Sequence, residues 1–308
     1  MSTSTGEPST PVPSHLARLV DDAAVFPPGN APLAEALAAH RQHRAAPYAD
    51  LLGPFLVSDL RLPDLRELLA GADSAVATTV VVSGGAGALG PAVRWAAGTE
   101  RLELAGVEMV LRDEDDLGHN ARRVVAAVDE LLAGGELDDE VPVYVEPPRL
   151  RGLEPSHSWL AALDEIAAAD HRLKFRIGGV DADAFPSADE LAHCIEAALD
   201  RELRFKCTAG LHHAVRHRDD ETGFEQHGFL NVLLATRASL DGASHADLVD
   251  VLEERDPSTV ADRVRQTGTN ALTSARRWFT GFGSCSVLEP LEDLIDLDLL
   301  PQLPLEQA

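Results

Sequence analysis

The chain has 308 residues, and 45% of them are hydrophobic, which is enough for a sizeable folded core. The formal net charge of −25 at pH 7 argues against nucleic acid or an anionic membrane as a partner. No apolar run is long enough to span a bilayer, and the amino terminus shows neither the basic nor the apolar region of a signal peptide. Three widely spaced cysteines in apolar surroundings are typical of reduced thiols, so we expect a cytoplasmic protein.

Strand-like and helix-like segments alternate along the chain, a pattern typical of a parallel sheet with helical crossovers. In chain order, the predicted strands cover residues 22–26, 54–59, 75–82, 105–111, 142–146, 173–177, 203–208 and 278–283. Amphipathic helices are predicted over residues 116–132, 158–169, 187–199 and 288–299. Eight such units predict an α/β fold, a TIM (β/α)8 barrel forming one domain over residues 15–300, with a disordered tail at 1–14 and a tail at 301–308.

The connection between the seventh and eighth predicted strands is far longer than an ordinary loop, at about seventy residues. We predict a long helical insertion over about 211–275, which begins with His212 and His213 and continues through His217 and His227. Such a segment is either a lid over the active face or a dimer contact.

The chain has only two lysines, Lys174 and Lys206, whereas the other 24 of its 26 basic residues are arginine. Arginine stays charged, but a lysine amine can be tuned to lose its proton and attack a carbonyl. Both lysines lie in predicted strands that run into glycine turns. Because side chains alternate along a strand, Lys174 should share a face with Arg176, and Lys206 with Thr208.

Two carboxylates interrupt neighbouring apolar strands, Glu108 in the fourth and Glu146 in the fifth. If they point inward with the lysines, the barrel mouth contains a cluster of charges. A second cation near an amine lowers its pKa, so we expect Lys206 and Arg176 to activate Lys174. Glu108 would then transfer protons, and Glu146 would orient the lysines or a water. A structural ion network is the alternative.

These strand segments resemble those of the deoxyribose-phosphate aldolase (DeoC) group of class I aldolases. The similar segments are Val-Glu108-Met-Val, Tyr-Val-Glu146, Lys174-Phe-Arg-Ile-Gly178, Phe-Lys206-Cys-Thr-Ala-Gly210-Leu and Phe-Gly283-Ser284-Cys-Ser286. The resemblance implies that Lys174 forms a Schiff base and that Lys206 tunes it. It also implies that Glu108 replaces a proton-relay Asp and that phosphate is held after the eighth strand.

The chain also departs from that family. Arg176 stands where the family has a small hydroxyl residue, and Gly179 and His212 replace a Lys and an Arg of its phosphate site. We therefore expect retained amine chemistry with a changed substrate, and the phosphorylation of that substrate stays open.

The resulting prediction is a class I aldolase-like lyase that acts on a small carbonyl or sugar-type substrate, which can be anionic. We expect no cofactor and no metal, and homo-oligomerisation is compatible with the sequence. Two alternatives remain: a metal-assisted lyase or hydrolase that uses the histidine-rich segment, and a non-catalytic barrel that binds a sugar phosphate. The residues predicted to contact substrate are Arg176, Glu146, Thr208, His212, Gly178, Gly210, Gly283, Ser284 and Ser286.

A glycine-rich stretch from Ser83 to Gly90 follows the third predicted strand and could cradle an anion at a helix start. We interpret it as a plain turn between a strand and a helix rather than a dinucleotide-binding fingerprint. The turn after the eighth strand is the preferred anion site, because TIM barrels often hold phosphate there.

Of the cysteines, Cys285 beside that turn is better placed to reach the pocket than Cys207. Asp21 is predicted to provide a polar contact or to act as an ordinary cap or turn residue.

Overall fold

The computed structural model describes residues 12–112, 116–150 and 154–302. Its strands are, in chain order, β1 (Val20–Asp22), β2 (Leu52–Ser58), β3 (Val76–Val82), β4 (Leu102–Val110), β5 (Val143–Glu146), β6 (Arg172–Arg176), β7 (Phe205–Thr208), β8 (His217–Arg218), β9 (Glu225–Gln226) and β10 (Phe279–Ser284). All but β8 and β9 are parallel and close into one barrel, whereas β8 and β9 form a separate antiparallel pair. The predicted TIM (β/α)8 barrel is therefore confirmed.

Helices surround the barrel and account for the crossovers between its strands. They are α1 (Leu33–Ala45), α2 (Leu62–Leu69), α3 (Ala86–Ala97), α4 (Leu117–Ala133), α5 (His157–Ala168), α6 (Ala188–Leu199), α7 (Phe229–Leu240), α8 (His245–Glu253), α9 (Pro257–Ala275) and α10 (Leu288–Asp296). Among the described residues, no helix is long and apolar enough to cross a membrane.

The first strand lies earlier than predicted, at Val20–Asp22 instead of 22–26. The apolar run after Asp22 suggested a strand, but Phe26 donates its backbone N–H to the carbonyl of Ala23, which closes a turn. The other seven predicted strands overlap the observed ones. Of the two predicted tails, residues 1–11 and 303–308 lie outside the described residues.

Strand alternation separates an apolar outer layer from a charged interior. Phe175 in β6 stacks on Trp159 of α5, with ring centroids 6.5 Å apart, and also contacts the ring of Phe205 in β7. Its neighbour Lys174 must therefore point to the opposite side of the sheet, into the barrel. By the same alternation, Lys206 points inward beside Phe205, and the register pairs Lys206 directly with Lys174.

The residues between β7 and β10 form the β8–β9 pair and the helices α7, α8 and α9. The first of these helices covers the barrel, since Phe229 of α7 stacks on Phe282 of β10 with ring centroids 5.0 Å apart. The other two pack against α7, and α8 also packs against α6. This segment is therefore part of the outer helical layer, and its α8 brings His245 next to a helix of the barrel.

Candidate active site at the carboxyl ends of the barrel strands

A buried ion network occupies the barrel interior, and Glu108 lies at its centre. Lys174 Nζ donates to one carboxylate oxygen of Glu108 at 2.8 Å, and Lys206 Nζ donates to the other at 2.6 Å. Lys206 also donates to Asp21, which comes from β1 at the other end of the chain. All four side chains are almost completely buried. Lys206 thus bridges two carboxylates that come from distant parts of the sequence, and Lys174 contacts one of them.

A second branch connects this network to the surface. Lys174 Nζ lies 3.0 Å from Glu146 Oε2, and Arg176 Nε donates to the other oxygen of Glu146 at 2.7 Å. The Arg176 side chain is 47% exposed, whereas that of Glu146 is only 5% exposed. A continuous chain of charged groups therefore runs from the solvent-facing guanidinium to the barrel interior.

The carboxylates control the protonation of both lysines. Burial alone would lower the pKa of Lys174, but Glu108 and Glu146 outweigh burial and hold the pKa above its ordinary value. For Lys206, burial is likewise outweighed by Asp21 and Glu108, and the pKa is raised. The lysines in turn overcome the burial of Glu108 and lower its pKa to about 2.

The prediction that Lys206 and Arg176 would lower the pKa of Lys174 and so activate it is therefore wrong. Arg176 binds Glu146 rather than approaching the amine, and both lysines are held as ammonium groups at neutral pH. A protonated amine has no lone pair with which to attack a carbonyl. The network is also charge-balanced, because three carboxylates face two ammonium groups and one guanidinium. Asp21, which was predicted to make a polar contact or to be an ordinary cap or turn residue, is a full member of this network.

Some of the predicted substrate contacts also determine the backbone packing at the barrel mouth, and their contact with a substrate stays a prediction. A Cβ placed on Gly178 would lie 2.6 Å from the Cα of Gly210, so these two glycines allow the loops after β6 and β7 to touch. Thr208 ends β7, where it pairs in register with Arg176 on one side and Gly283 on the other. The two glycines therefore shape the mouth of the barrel through close backbone packing.

The serines after β10 are engaged in local hydrogen bonds. Ser284 Oγ accepts from the backbone N–H of Ser286 at 3.3 Å, and Ser286 Oγ accepts from the backbone N–H of Glu289 at 3.2 Å. Ser284 is fully buried. Both hydroxyl oxygens at this turn thus accept backbone N–H groups near the start of α10, which leaves the predicted anion site a prediction.

A cysteine and a histidine meet at the same end of the barrel. Cys285 Sγ lies 3.6 Å from His212 Nε2, and His212 Nδ1 lies 2.7 Å from Glu289 Oε2. Burial tends to lower the pKa of His212, but its hydrogen bonds to Cys285 and Glu289 prevail and raise it to about 10. An imidazolium oriented by a carboxylate therefore stands beside the thiol. Cys207, by contrast, is fully buried, and burial raises the pKa of its thiol.

Three further histidines of the 209–278 segment, His213, His217 and His227, have structural partners. His213 Nδ1 lies 3.2 Å from Asp293, and His217 Nδ1 lies 3.3 Å from the carbonyl of Val215. His227 is fully buried, and burial together with the charge of Arg216 lowers its pKa to about 3. Among the described residues, His213, His217 and His227 do not belong to a group that could hold a metal ion.

The glycine-rich stretch after β3 contains a motif that the prediction of a plain turn missed. Gly85, Gly87 and Gly90 have the spacing G-x-G-x-x-G directly after β3. Gly85 is the N-cap of α3, and Gly87 and Gly90 lie among the first five residues of that helix, which is the strand–turn–helix setting that this fingerprint requires. Gly85 has a φ of 71°, a conformation that glycine adopts readily. A Cβ placed on Gly85 would lie 3.4 Å from Nε of Arg112, which follows β4. The interpretation as a plain turn ignored this spacing and its basic neighbour.

No family model matches the chain. Among curated proteins, a Ferredoxin–NADP reductase of Paramagnetospirillum magneticum (strain ATCC 700264 / AMB-1) is 29% identical over 161 residues. The match covers 49% of this chain and 47% of the reductase, so it spans about half the length of each protein.

This relative overturns the expectations drawn from the aldolase resemblance. It is an oxidoreductase by name and not an aldolase, so membership of the deoxyribose-phosphate aldolase group is not supported. The predicted Schiff-base lyase is wrong, and the two alternatives, a metal-assisted lyase or hydrolase and a non-catalytic sugar-phosphate barrel, do not match the relative either. The raised pKa of Lys174 gives the physical reason for abandoning the amine nucleophile.

Proposed function

We propose that the chain is an NADP(H)-dependent oxidoreductase with its site at the carboxyl ends of the barrel strands. The observation that carries the proposal is the Gly85-x-Gly87-x-x-Gly90 motif, which begins at the N-cap of α3 directly after β3, with Arg112 beside Gly85. The named activity of the partial relative supports the same class of reaction. This proposal replaces the expectation that the protein works without a cofactor.

The residues around the turn fit a nucleotide phosphate. The first turn of a helix offers unpaired backbone N–H groups and a positive dipole end, and α3 has no side-chain cap over them. A Cβ on Gly87 would meet no atom within 4 Å, so the backbone is open to a ligand at this point. The cavity here is about 40 Å³, which is room for roughly three waters and suits a phosphate group. Its lining includes Gly85, Gly87, Arg112, Asn120 and Arg123.

The basic residue at the end of β4 favours NADP over NAD. In a dinucleotide-binding β–α–β unit, an acidic residue about 20 positions after the glycines binds the ribose hydroxyl of NAD, whereas an arginine accommodates the 2′-phosphate of NADP. Here the residue 22 positions after Gly90 is Arg112. Its backbone carbonyl accepts from Asn120 Nδ2 at 3.3 Å, which anchors it against α4. Arg123, one helical turn beyond Asn120, adds a second cation to the same cavity.

A bound nicotinamide would supply or accept the hydride. The chain itself would handle protons, and His212 is the group placed to do so, because its pKa of about 10 keeps it protonated at neutral pH. Its side chain is 14% exposed and is oriented by Glu289, so it can present a proton to a carbonyl oxygen at the mouth. We propose a small carbonyl or alcohol as the substrate. The buried Lys174–Glu108–Lys206 network would provide a fixed charge-balanced floor beneath the site.

The test is nucleotide binding, measured by isothermal titration calorimetry with NADPH and NADH. Gly87→Ala should weaken NADPH binding at least about tenfold, because the second glycine of the fingerprint lets the backbone approach the pyrophosphate. Arg112→Ala should weaken NADPH and leave NADH nearly unchanged, since only NADPH has the 2′-phosphate. The expected preference of the wild-type protein is therefore for NADPH.

Gly118→Ala is a matched control. Gly118 is the second residue of α4 as Gly87 is of α3, and its Cβ would lie at 3.5 Å from Ala161, an ordinary contact. This variant should bind NADPH like the wild type. Failure of the wild-type protein to bind either nucleotide below about 1 mM would refute the proposal, as would unchanged NADPH affinity in Gly87→Ala.

A further inference from the structure

Two histidines and two carboxylates converge in the outer helical layer, where α6 packs against α8. Asp189, His193 and Glu196 lie four and three residues apart on α6, so they share one face of that helix. His245 is the first residue of α8 and faces them from the segment between β7 and β10. None of these residues takes part in the site proposed above.

The two imidazole rings lie against each other in one orientation. Their centroids are 4.1 Å apart with 30° between the ring planes. His245 Nε2 lies 3.1 Å from Asp189, and His193 Nε2 lies 4.0 Å from the other oxygen of the same carboxylate. On the opposite side, His245 Nδ1 lies 2.7 Å and His193 Nδ1 lies 3.7 Å from one oxygen of Glu196. Both rings therefore turn Nε2 toward Asp189 and Nδ1 toward Glu196.

We propose that Asp189, His193 and His245 form a binding site for a divalent transition-metal ion, with Zn²⁺ as the best match. One ligand atom from each of the three residues lies within 4.8 Å of the others. Tetrahedral zinc with ligands at about 2.0–2.1 Å separates those ligands by roughly 3.3 Å, so binding requires contractions of no more than about 1.5 Å. Side-chain rotation of partly exposed residues supplies such a movement.

The ligand chemistry decides the class of ion. Two imidazole nitrogens and one carboxylate are the donors that zinc and its neighbours prefer, whereas magnesium and calcium prefer oxygen alone. Glu196 lies where it can accept the Nδ1–H of His245, the second-shell contact that fixes the tautomer of a metal-binding histidine. The side chains of His193, His245 and Asp189 are 21%, 32% and 48% exposed, so an ion can reach them and a water can complete the coordination.

Such an ion would join α8 to α6. Because His193 and Asp189 belong to α6 and His245 to α8, a shared ion adds a cross-link between the barrel and the segment that follows β7. An ion that binds only the folded state stabilises that state, by an amount that grows with its concentration. The site is therefore expected to be structural rather than catalytic, since it lies on the outer helices.

The experiment is Zn²⁺ binding to the full chain after exhaustive dialysis against a chelator, measured by competition with a zinc-sensitive dye. We expect one ion per chain at micromolar or tighter affinity and a higher Tm with Zn²⁺. His245→Ala should weaken binding by at least about a hundredfold, and Glu196→Gln by about 10–100-fold with the three ligands intact. With Co²⁺ bound in place of Zn²⁺, loss of the visible spectrum of the tetrahedral ion in His193→Ala would show that His193 ligates the ion directly.

The matched controls are His119→Ala and His157→Ala, which alter exposed histidines at the starts of α4 and α5. Both should bind Zn²⁺ like the wild type. The proposal is overturned if the wild-type protein does not bind Zn²⁺ below about 10 µM. It is equally overturned if the double variant His193→Ala/His245→Ala, shown to be folded by circular dichroism, retains wild-type affinity.

Discussion

Lys206→Met tests the buried ion network most directly. Methionine matches the length of lysine and is apolar, so the change removes a charge with little change in packing. Lys206 contacts both Asp21 and Glu108, and Glu108 keeps a second cation in Lys174. Among the described residues, Lys206 is the one side chain that donates to Asp21, so the variant leaves that buried carboxylate without a cation in contact.

The expected loss is large because an unpaired charge would be left in the barrel interior. Breaking a buried ion pair by removing one partner costs about 3–5 kcal/mol. For a chain of 308 residues, an unfolding entropy of about 2.1 cal/mol/K per residue converts this loss into a decrease in Tm of roughly 5–8 °C. Circular dichroism melts and urea unfolding at pH 7 would measure it.

The pH dependence distinguishes this cause from a packing defect. Burial already raises the pKa of Asp21, and the attraction of Lys206 opposes that rise. Without Lys206 the pKa rises further, so the folded state binds more protons than the unfolded state and gains stability as the pH falls. The stability gap between variant and wild type should therefore shrink between pH 7 and pH 5. In the wild type, Glu108 has a pKa lowered to about 2, so its contribution is lost only as the pH falls below the unfolded value toward 2.

Two comparisons complete this experiment. Arg263→Met removes an exposed cation on α9 and should change stability by less than about 0.5 kcal/mol. Asp21→Asn in the Lys206→Met background should recover part of the loss, because the unpaired charge is removed. A Lys206→Met protein within about 1 kcal/mol of wild type, with a gap that does not vary with pH, would contradict the reasoning.

Three further predictions follow from neighbouring contacts. Lys174→Met should destabilise the protein less than Lys206→Met, because Glu146 keeps its contact with Arg176 and Glu108 keeps its contact with Lys206. Urea unfolding of both variants measures this order, and a larger loss of stability in Lys174→Met would contradict the described network. Gly178→Ala should cost about 1–3 kcal/mol, since its Cβ would meet the loop after β7 at 2.6 Å, and an unchanged Tm would contradict this packing. Cys285 should react with iodoacetamide at pH 7 ahead of the two buried cysteines, and more slowly in His212→Asn; peptide mapping that finds equal labelling of all three would refute it.

Sequence determined the barrel and the direction of its polar side chains. Alternation is a local property of a strand, so the inward position of Lys174 and Lys206 could be predicted from their neighbours Phe175 and Phe205. The first strand was misplaced because a three-residue strand leaves almost no local pattern. The G-x-G-x-x-G spacing of the turn after β3 was also present in the sequence, and only the basic residue beside it required the fold.

Tertiary structure alone decided the protonation of the lysines and the partners of each charge. The pKa of an amine depends on every charge within a few ångströms, and Asp21 reaches Lys206 across 185 residues of chain. Closing the barrel places β1 next to β10, which in turn adjoins β7, and no local pattern reports that closure. The same holds for His212 beside Cys285 and for His245 against His193, because these pairs form only when helices and loops distant in sequence pack together.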